Sequence, residues 1–361
     1  MSERSDITEE EEEEAPEEEA PEDEPASAEE QVAALVEESK AQKAAVVAAA
    51  VEPKPLAEPR IRRLNIIGRR NFFFALSLII IIPGIVSMWH NHFKLGIDFA
   101  GGTEFTVSFT ENRSLAEVER AVAQEGLNGS VIQTAGGGYI LRYPILNPAQ
   151  QSGVQTDLQN RLGPMNVQQI LAVGGTIAGE TVEFSLLAVV IASVAILALL
   201  AIRFRNVPGG WRAGFQFGGS ALAALLHDVF VLTGLFSIFG TVLHWQVGEI
   251  NAYFVTAVLT VVGFSVHDTI VVFDRIRENL RVSQRLSFEQ VVNLSIMQTA
   301  ARSIITSFTV VLVLAAIFVS GGPTLQGLAL ALLIGIVSGT YSSIFNAAPL
   351  LVVWRKLQPL R

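Results

Sequence analysis

The stretch Asn251-Ala-Tyr-Phe-Val-Thr-Ala-Val-Leu-Thr-Val-Val-Gly-Phe-Ser-Val-His-Asp-Thr-Ile-Val-Val-Phe-Asp-Arg-Ile-Arg-Glu-Asn279 organises the rest of the chain. It begins as an apolar run, and a helix that crosses a bilayer needs about 20 such residues. His267 and Asp268 interrupt the run. An ionisable side chain inside a span is costly unless it faces the bundle interior and finds a partner there. The stretch therefore predicts a membrane helix with a functional carboxylate at Asp268, the alternative being a carboxylate that only bonds a neighbouring helix.

Composition indicates a membrane protein with several spans. Half of the 361 residues are hydrophobic and the mean hydropathy is +0.43, which is too apolar for a soluble chain. The net charge of -10 comes from one segment, because residues 1–60 hold 20 acidic and 5 basic side chains. This segment cannot form a core, so we expect a disordered acidic cytoplasmic tail, the alternative being a tether for a basic partner. The chain has no cysteine, which excludes disulfide and thiol chemistry.

Six apolar runs are long enough to cross a membrane, and basic residues cluster on one side of them. Arginines precede the first run and follow the second, fourth and sixth runs, so the positive-inside rule places both termini in the cytoplasm. Pro83-Gly84 predicts a kink in the first run. The runs are Phe72–Trp89, Phe184–Ile202, Ala213–Phe239, the run that begins at Asn251, Ser303–Val319 and Leu325–Trp354.

Four segments follow from this pattern. They are the tail at 1–60, the basic cluster and first span at 61–90, an extracytoplasmic domain at 91–180, and five further spans at 181–361 with a cytoplasmic loop around 275–302.

The domain between the first two spans has the element order β-α-β-β-α-β, which is ferredoxin-like. Ser114 and Glu117 have the spacing of a capping box at the start of its first helix. Gly136-Gly137-Gly138 separates two strands and predicts a hairpin turn rather than a phosphate-binding loop. The predicted elements are strand Lys94–Thr110, helix Ser114–Glu125, strands Ser130–Ala135 and Tyr139–Tyr143, helix Gln150–Leu162 and strand Val167–Val173.

Ionisable residues inside the spans are the candidates for chemistry. His227 and Asp228 lie in the third run, His267 and Asp268 in the fourth, and Arg302 at the mouth of the fifth. This set suits a proton relay, in which Asp228 and the two histidines are either relay members or structural. A metal site across the two His-Asp pairs is disfavoured, because two adjacent pairs do not define a ligand geometry. The sequence lacks a Walker loop, a Gly-x-Ser-x-Gly elbow and a His-Glu-x-x-His motif, so we expect no enzymatic activity.

Small residues predict where the helices approach closely. Gly214 and Gly218 form a small-xxx-small pair in the third run, and Gly263 is a further packing candidate in the fourth. The sixth run has a continuous small-residue stripe that consists of Gly327, Ala331, Gly335, Gly339 and Ser343.

Several motifs, in this order along the chain, resemble the SecF family of protein-export membrane proteins, a branch of the resistance-nodulation-division superfamily. The resemblance covers about residues 60–361, and the acidic tail departs from it. The motifs are Leu95-Gly-Ile-Asp-Phe-Ala-Gly-Gly-Thr103, Leu226-His-Asp228, Gly263-Phe-Ser-Val-His-Asp-Thr-Ile-Val-Val-Phe-Asp-Arg-Ile-Arg-Glu-Asn279, Ala301-Arg-Ser-Ile304 and Gly339-Thr-Tyr-Ser-Ser-Ile-Phe345.

The resemblance implies a set of partners. SecF-like proteins pair with SecD in a twelve-span unit of the inner (plasma) membrane, and this unit associates with the SecYEG channel. Proton flow through it assists the translocation of preproteins that the motor SecA has pushed through the channel. YidC and YajC are further partners that the resemblance implies, and no cofactor is expected beyond a coupling ion.

The resemblance also implies roles for two residues. Asp268 and Arg302 match family positions on the proton path, where SecD supplies a third residue, an aspartate. A permanently charged Arg302 stabilises ionised Asp268, and its withdrawal favours protonation. Two other functions stay open: an autonomous exporter of a small molecule or lipid, against which the six spans argue, and a non-conducting translocon scaffold, against which Asp268 argues. The coupling ion is expected to be a proton, with sodium left open.

Overall fold

The structure, a computed structural model, describes residues 64–134, 136–282 and 285–359, together with the helical residues 36–37 and 39–40. The predicted disordered tail at 1–60 therefore lies outside the described residues, apart from these four. Residues 64–361 form one compact unit.

Six helices of this unit are long and apolar enough to cross a membrane, which is the predicted number. The sixth is not a regular α-helix throughout, because a π-helical turn at Ser343–Ala347 separates the α-helices Pro323–Ser342 and Ala348–Leu357. Pro349 has no backbone N–H and cannot continue the regular bonding pattern, which explains the irregular turn just before it. The helices, called the first to sixth spans below, are Ile67–His90, Gly175–Arg203, Gly210–Val242, Ala252–Val282, Phe288–Ser320 and Leu325–Leu357.

The region around 275–302, predicted as a cytoplasmic loop, is mostly helix in the structure. The fourth span continues to Val282 and the fifth begins at Phe288. Ser287 and Gln290 form a capping box: Gln290 N donates to Ser287 Oγ at 3.3 Å, and Ser287 N donates to Gln290 Oε1 at 2.9 Å. The first turns of this helix also bury an apolar face that includes Ile296, so packing extends the helix past the apolar run.

A small domain of α and β elements lies between the first two spans. Its four-stranded antiparallel sheet has the strand order β2-β3-β1-β4, which is the ferredoxin-like order predicted from the sequence. Phe105, Val107 and Leu141 of the sheet pack with Val118 and Leu158 of two helices to form its core. The elements are α1 (Ile97–Ala100), β1 (Gly102–Phe109), α2 (Leu115–Gln124), β2 (Ser130–Gln133), β3 (Tyr139–Tyr143), α3 (Pro148–Leu162) and β4 (Met165–Val173).

The start of the domain differs from the prediction, because Lys94–Thr110 is not one strand. The helical turn α1 comes first, and β1 begins only after a sharp change of direction at Gly101 and Gly102, whose φ angles are 72° and 138°. A Cβ on Gly102 would lie 2.7 Å from the carbonyl oxygen of Tyr143. Only glycine fits this conformation and this approach.

The predicted capping box of α2 is confirmed. Ser114 N donates to Glu117 Oε2 at 2.9 Å, and the Ser114 side chain accepts in return from the Glu117 backbone. These hydrogen bonds hold the pKa of Glu117 below its usual value.

Backbone and side-chain bonds join the segment before α1 to the start of the fourth span. Gly96 N donates to Ile250 O and Ile250 N donates to Lys94 O, both at 2.8 Å. Asp98 Oδ2 accepts from the backbone N–H of Ala252 at 2.9 Å, where the fourth span begins. The free N–H groups and the positive end of the helix dipole at an N-terminus favour such a carboxylate.

An ion-pair cluster makes a second connection between the sheet and the membrane part. Arg142 of β3 donates both Nη atoms to the two carboxylate oxygens of Glu249 at 2.7 Å, and its Nε donates to Glu104 of β1 at 2.7 Å. Burial opposes the charge, but the bonds to Glu249 and Glu104 raise the pKa of Arg142 above its ordinary value. Glu249 directly precedes the Ile250 pairing, so both connections converge on the start of the fourth span.

Candidate functional site

Asp228, in the middle of the third span, is the most fully bonded side chain in the bundle. Only 1% of it is exposed. Ser265 of the fourth span donates to Oδ2 at 2.7 Å, Ser342 of the sixth span to Oδ2 at 2.6 Å, and Ser338 to Oδ1 at 2.7 Å. Its neighbour His227 places Nδ1 at 3.0 Å from Oδ1. Donors from three spans therefore surround both oxygens, as an ionised carboxylate requires.

His227 lies between Asp228 and an aromatic ring. Its imidazole stacks against Tyr341 of the sixth span, with 6.2 Å between ring centroids. Its Nε2 atom is buried and has no hydrogen-bond partner among the described residues. Tyr341 in turn donates to the carbonyl oxygen of Phe73 in the first span at 2.8 Å. The pair His227–Asp228 thus links the third span to the first and the sixth.

Asp268 is also buried, with 6% of it exposed, but it has far fewer donors. Ser343 of the sixth span donates to Oδ2 at 3.1 Å, which is the longest bond to either carboxylate. Ser303 of the fifth span is buried beside Asp268 and close enough to favour its charged form, although its hydroxyl makes no hydrogen bond of regular distance and angle within the described part of the chain. Asp268 forms no ion pair with another described residue.

The sixth span reaches both carboxylates with neighbouring serines. Successive residues of an α-helix point about 100° apart, whereas residues four apart share a face. Ser338 and Ser342 therefore face the third span and Asp228, and Ser343 turns towards the fourth span and Asp268. None of these serines was predicted to bond a carboxylate, because a serine in a span often bonds only its own helix; Ser343 was predicted only as part of the packing stripe.

Among the described residues, neither Arg302 nor His267 forms a hydrogen bond or an ion pair with Asp268. Arg302 is exposed and lines a cleft of about 530 Å³ with charged residues from the end of the fourth span, among them Arg275 and Arg277. It forms no ion pair with another described residue. His267 lies on the exposed face of the fourth span. The structure therefore places Asp228 beside His227, and Asp268 beside Ser343. Asp268 and Arg302, which were predicted to act together, form no ion pair within the described residues.

The glycines predicted to mediate packing differ in their surroundings. A Cβ on Gly335 would collide with Val261, and one on Gly339 would lie 3.1 Å from Ser265 Cβ, so the stripe of the sixth span packs on the fourth. Gly214 and Gly218 approach the second span through Ala201 and Leu197. Gly263 has no neighbour within 4 Å among the described residues, so it packs against no described helix of this chain.

A further close contact, between Gly84 and Gly234, was not predicted as a packing site. A Cβ on Gly84 would lie 2.8 Å from the Cα of Gly234, so the first and third spans cross backbone to backbone at this point. Across the part of the chain that the structure describes, no group of three or more His, Asp or Glu side chains could hold a metal ion.

Comparison with known families identifies the arrangement. The family described as "Protein export membrane protein SecD/SecF, C-terminal" matches residues 154–357, and the "SecD/SecF GG Motif" matches residues 86–112. The translocase subunit SecF of Thermobaculum terrenum is 43% identical over 82% of this chain and 96% of its own length. The chain belongs to the SecF family. The SecF subunits of Anaerolinea thermophila and Haemophilus influenzae are 41% and 34% identical over 81% and 82% of the chain.

Solved structures agree with this assignment. A SecDF from Thermus thermophilus, described as a translocon-associated membrane protein, matches with a TM-score of 0.72 at 29% identity over 84% of this chain. A SecDF in a form called super-membrane-facing matches with a TM-score of 0.57 at 28% identity over 81% of this chain. The chain spans only 40% and 39% of the length of those two chains.

Membership in the SecF family establishes the general role. The chain is an auxiliary subunit of the Sec protein translocase, located in the inner membrane with six spans. Its relatives are named as translocase subunits and not as enzymes. The Asp98 contact and the Gly101-Gly102 turn both lie within the GG motif.

Proposed function

We propose that this subunit pairs with SecD and uses the proton motive force to assist preprotein translocation, with Asp268 as the residue that carries the proton. The SecDF likeness supports SecD as the partner. Interaction with SecYEG, YidC and YajC, and indirectly with SecA, belongs to the same proposal. The subunit acts without enzymatic activity of its own and without a bound cofactor, and the coupling ion is a proton.

The observation that carries the proposal is the contrast between the two buried carboxylates. Protonation of Asp228 would disturb a shell in which three serine hydroxyls donate to its oxygens and His227 Nδ1 lies 3.0 Å from Oδ1. Protonation of Asp268 would disturb one bond of 3.1 Å from Ser343 and the weaker influence of the neighbouring Ser303 hydroxyl. Hydrogen bonds to charged groups stabilise by about 1.5–3 kcal/mol each, so the proton is accommodated at much lower cost on Asp268. Asp228 is then the fixed anion of the bundle, with His227 held in place beside it.

We propose that Arg302 controls the proton affinity of Asp268 by moving towards it and away from it. Ser303, its neighbour in the chain, already lies beside Asp268, so a modest rotation or shift of the fifth span would bring Arg302 closer. A guanidinium near Asp268 favours the carboxylate, and its withdrawal favours the protonated acid. His267 and Gly263 share the exposed face of the fourth span, where SecD is proposed to bind.

The variant Asp268→Asn tests the proposal directly. It preserves size and hydrogen bonding but cannot ionise, so we expect complete loss of the gradient-dependent part of translocation. The measurement is preprotein translocation into inverted membrane vesicles that contain this subunit with its SecD, with and without a proton gradient.

Asp157→Asn is the matched control, because Asp157 is a surface carboxylate of the ferredoxin-like domain that pairs only with Arg161 at 2.8 Å. It should respond to the gradient like wild type. If Asp268→Asn vesicles respond as fully as wild type, Asp268 is structural and a non-conducting scaffold becomes the better account.

A further inference from the structure

The sixth span hydrogen-bonds both buried carboxylates. Ser342 and Ser343 are adjacent in the chain, and both side chains are fully buried. Ser342 donates to Asp228 on the third span, and Ser343 donates to Asp268 on the fourth. One helix therefore contacts the fixed anion and the proton carrier through consecutive residues.

The irregular turn lies at the same place. The π-helical segment begins at Ser343, so the bond to Asp268 is made from the first residue of that turn, whereas Ser342 ends the regular helix. Ser338 and Ser342 hold the regular part of the span to Asp228 with two short bonds. The regular part is thus anchored, and the turn that carries Ser343 starts where the anchoring ends.

Close packing limits how the sixth span can move against the fourth. Gly335 and Gly339 lie against Val261 and Ser265, and Ser343 continues the same face one turn further. At these glycines a sideways shift of the sixth span would force it into the closely packed fourth span. The π-helical turn that begins at Ser343 lacks the regular α-helical bonding pattern, so its rearrangement disturbs fewer α-helical bonds. When the protonation of Asp268 changes, the π-helical turn is therefore the part of the sixth span that can move most readily.

We propose that Ser343 is the positioning residue for Asp268, and that the sixth span senses the protonation of Asp268 through the Ser343 hydroxyl while Ser342 and Ser338 keep this span fixed to Asp228. This inference rests on the proposed proton-carrying role of Asp268. Ser343 donates to the ionised carboxylate, and the bond is weakened when the proton arrives. The π-helical turn is then free to rearrange.

The other charged groups near Asp268 do not occupy positions from which they could donate the hydrogen bond that Ser343 donates. His267 is on the exposed face of the same span, and Asp228 on the third span is separated from Asp268 by the two serines. Arg302 on the fifth span is exposed in the cleft, and Arg203 of the second span pairs with Asp274 at 2.8 Å, nearer the end of the bundle. Ser303 of the fifth span is buried next to Asp268 as well, but its hydroxyl makes no hydrogen bond of regular geometry within the described residues, whereas Ser343 bonds Asp268 Oδ2 at 3.1 Å.

The test compares Ser343→Ala with Ser343→Thr and Ser342→Ala in vesicles that contain the subunit with its SecD. Loss of one donor to a carboxylate should shift the pH at half-maximal gradient-dependent translocation upwards by about one unit. Ser343→Thr keeps the hydroxyl and should restore the wild-type midpoint. Ser342→Ala removes a donor from Asp228 and should lower the melting temperature of the complex while the midpoint stays in place.

An infrared titration of the purified complex gives a second readout that does not need translocation. The carboxylic acid band that disappears in Asp268→Asn reports protonation of Asp268, and Ser343→Ala should shift its titration in the same direction as the vesicle midpoint. An unshifted band in Ser343→Ala, or an equal shift in Ser342→Ala, overturns the role of Ser343 even when Asp268→Asn is inactive. A full gradient response of Asp268→Asn would instead overturn the proposed function itself.

Discussion

Carboxylates in this protein differ in how many donors they meet, and Glu125 of the ferredoxin-like domain accepts a single hydrogen bond. Its Oε2 atom accepts from the hydroxyl of Tyr143 at 2.6 Å, while its Oε1 atom is buried without a partner among the described residues. Burial raises the pKa of Glu125, against the opposing effect of the Tyr143 bond. Burial and the Glu125 charge also raise the pKa of Tyr143.

The raised pKa predicts a pH dependence of local stability. The folded domain binds the Glu125 proton more tightly than the unfolded chain, so its stabilisation is complete below pH 4.5 and is lost as the pH rises through the folded pKa. Glu125→Gln should abolish this dependence. The measurement is amide hydrogen exchange of α2 and β3 in the intact subunit, for Glu125→Gln and wild type at matched pH values. If the local stability has the same pH dependence in the variant and in wild type, the prediction is contradicted.

The sequence predicted which side chains of the bundle are ionisable and buried, but not what they bond. His227, Asp228 and Asp268 stood out because charges are rare in spans. Their serine partners did not, since a hydroxyl in a helix can always bond the carbonyl four residues earlier, and nothing local distinguishes Ser343 from such a case. The spacing of Ser338 and Ser342 was the available signal, because it places two hydroxyls on one face.

Helices are the scale at which sequence prediction worked best and at which its errors have simple causes. The six spans followed from run length, and the capping box of α2 followed from the spacing of Ser114 and Glu117. In the charged region around 275–302 the helices continue beyond the apolar runs, because an amphipathic face packs against the bundle. The π-helical turn was missed although Pro349 marks it.

The glycine stripe of the sixth span gives a test at this scale. Gly335→Leu places a large side chain where Val261 already fills the space, and overpacking costs about 1–3 kcal/mol or more. We expect a lower melting temperature of the purified subunit and a lower yield. Gly263→Leu is the control within the fourth span, because nothing lies within 4 Å, and it should melt like wild type. Equal melting of both variants would place the stripe against lipid.

At the scale of the whole molecule, the distribution of arginines predicts which side of the membrane each part faces. The ferredoxin-like domain is proposed to lie outside and both termini inside. Because the chain has no cysteine, single cysteines at Gly137 in the hairpin turn and at Arg285 between the fourth and fifth spans can be labelled without background. Gly137→Cys should react with an impermeant thiol reagent in spheroplasts, and Arg285→Cys only after lysis. The reverse labelling pattern would invert the topology.

The contacts of Asp98, Ile250 and Arg142 with the start of the fourth span have a mechanical consequence. They fasten the sheet to one end of a helix whose residue 268 lies 16 residues further on, which is roughly 24 Å along the axis. An α-helix resists stretching, so traction on the sheet by a chain in transit would reach Asp268 as an axial displacement past Ser343. The fourth span would then couple a force on the sheet outside the membrane to the release of the proton from Asp268 within it.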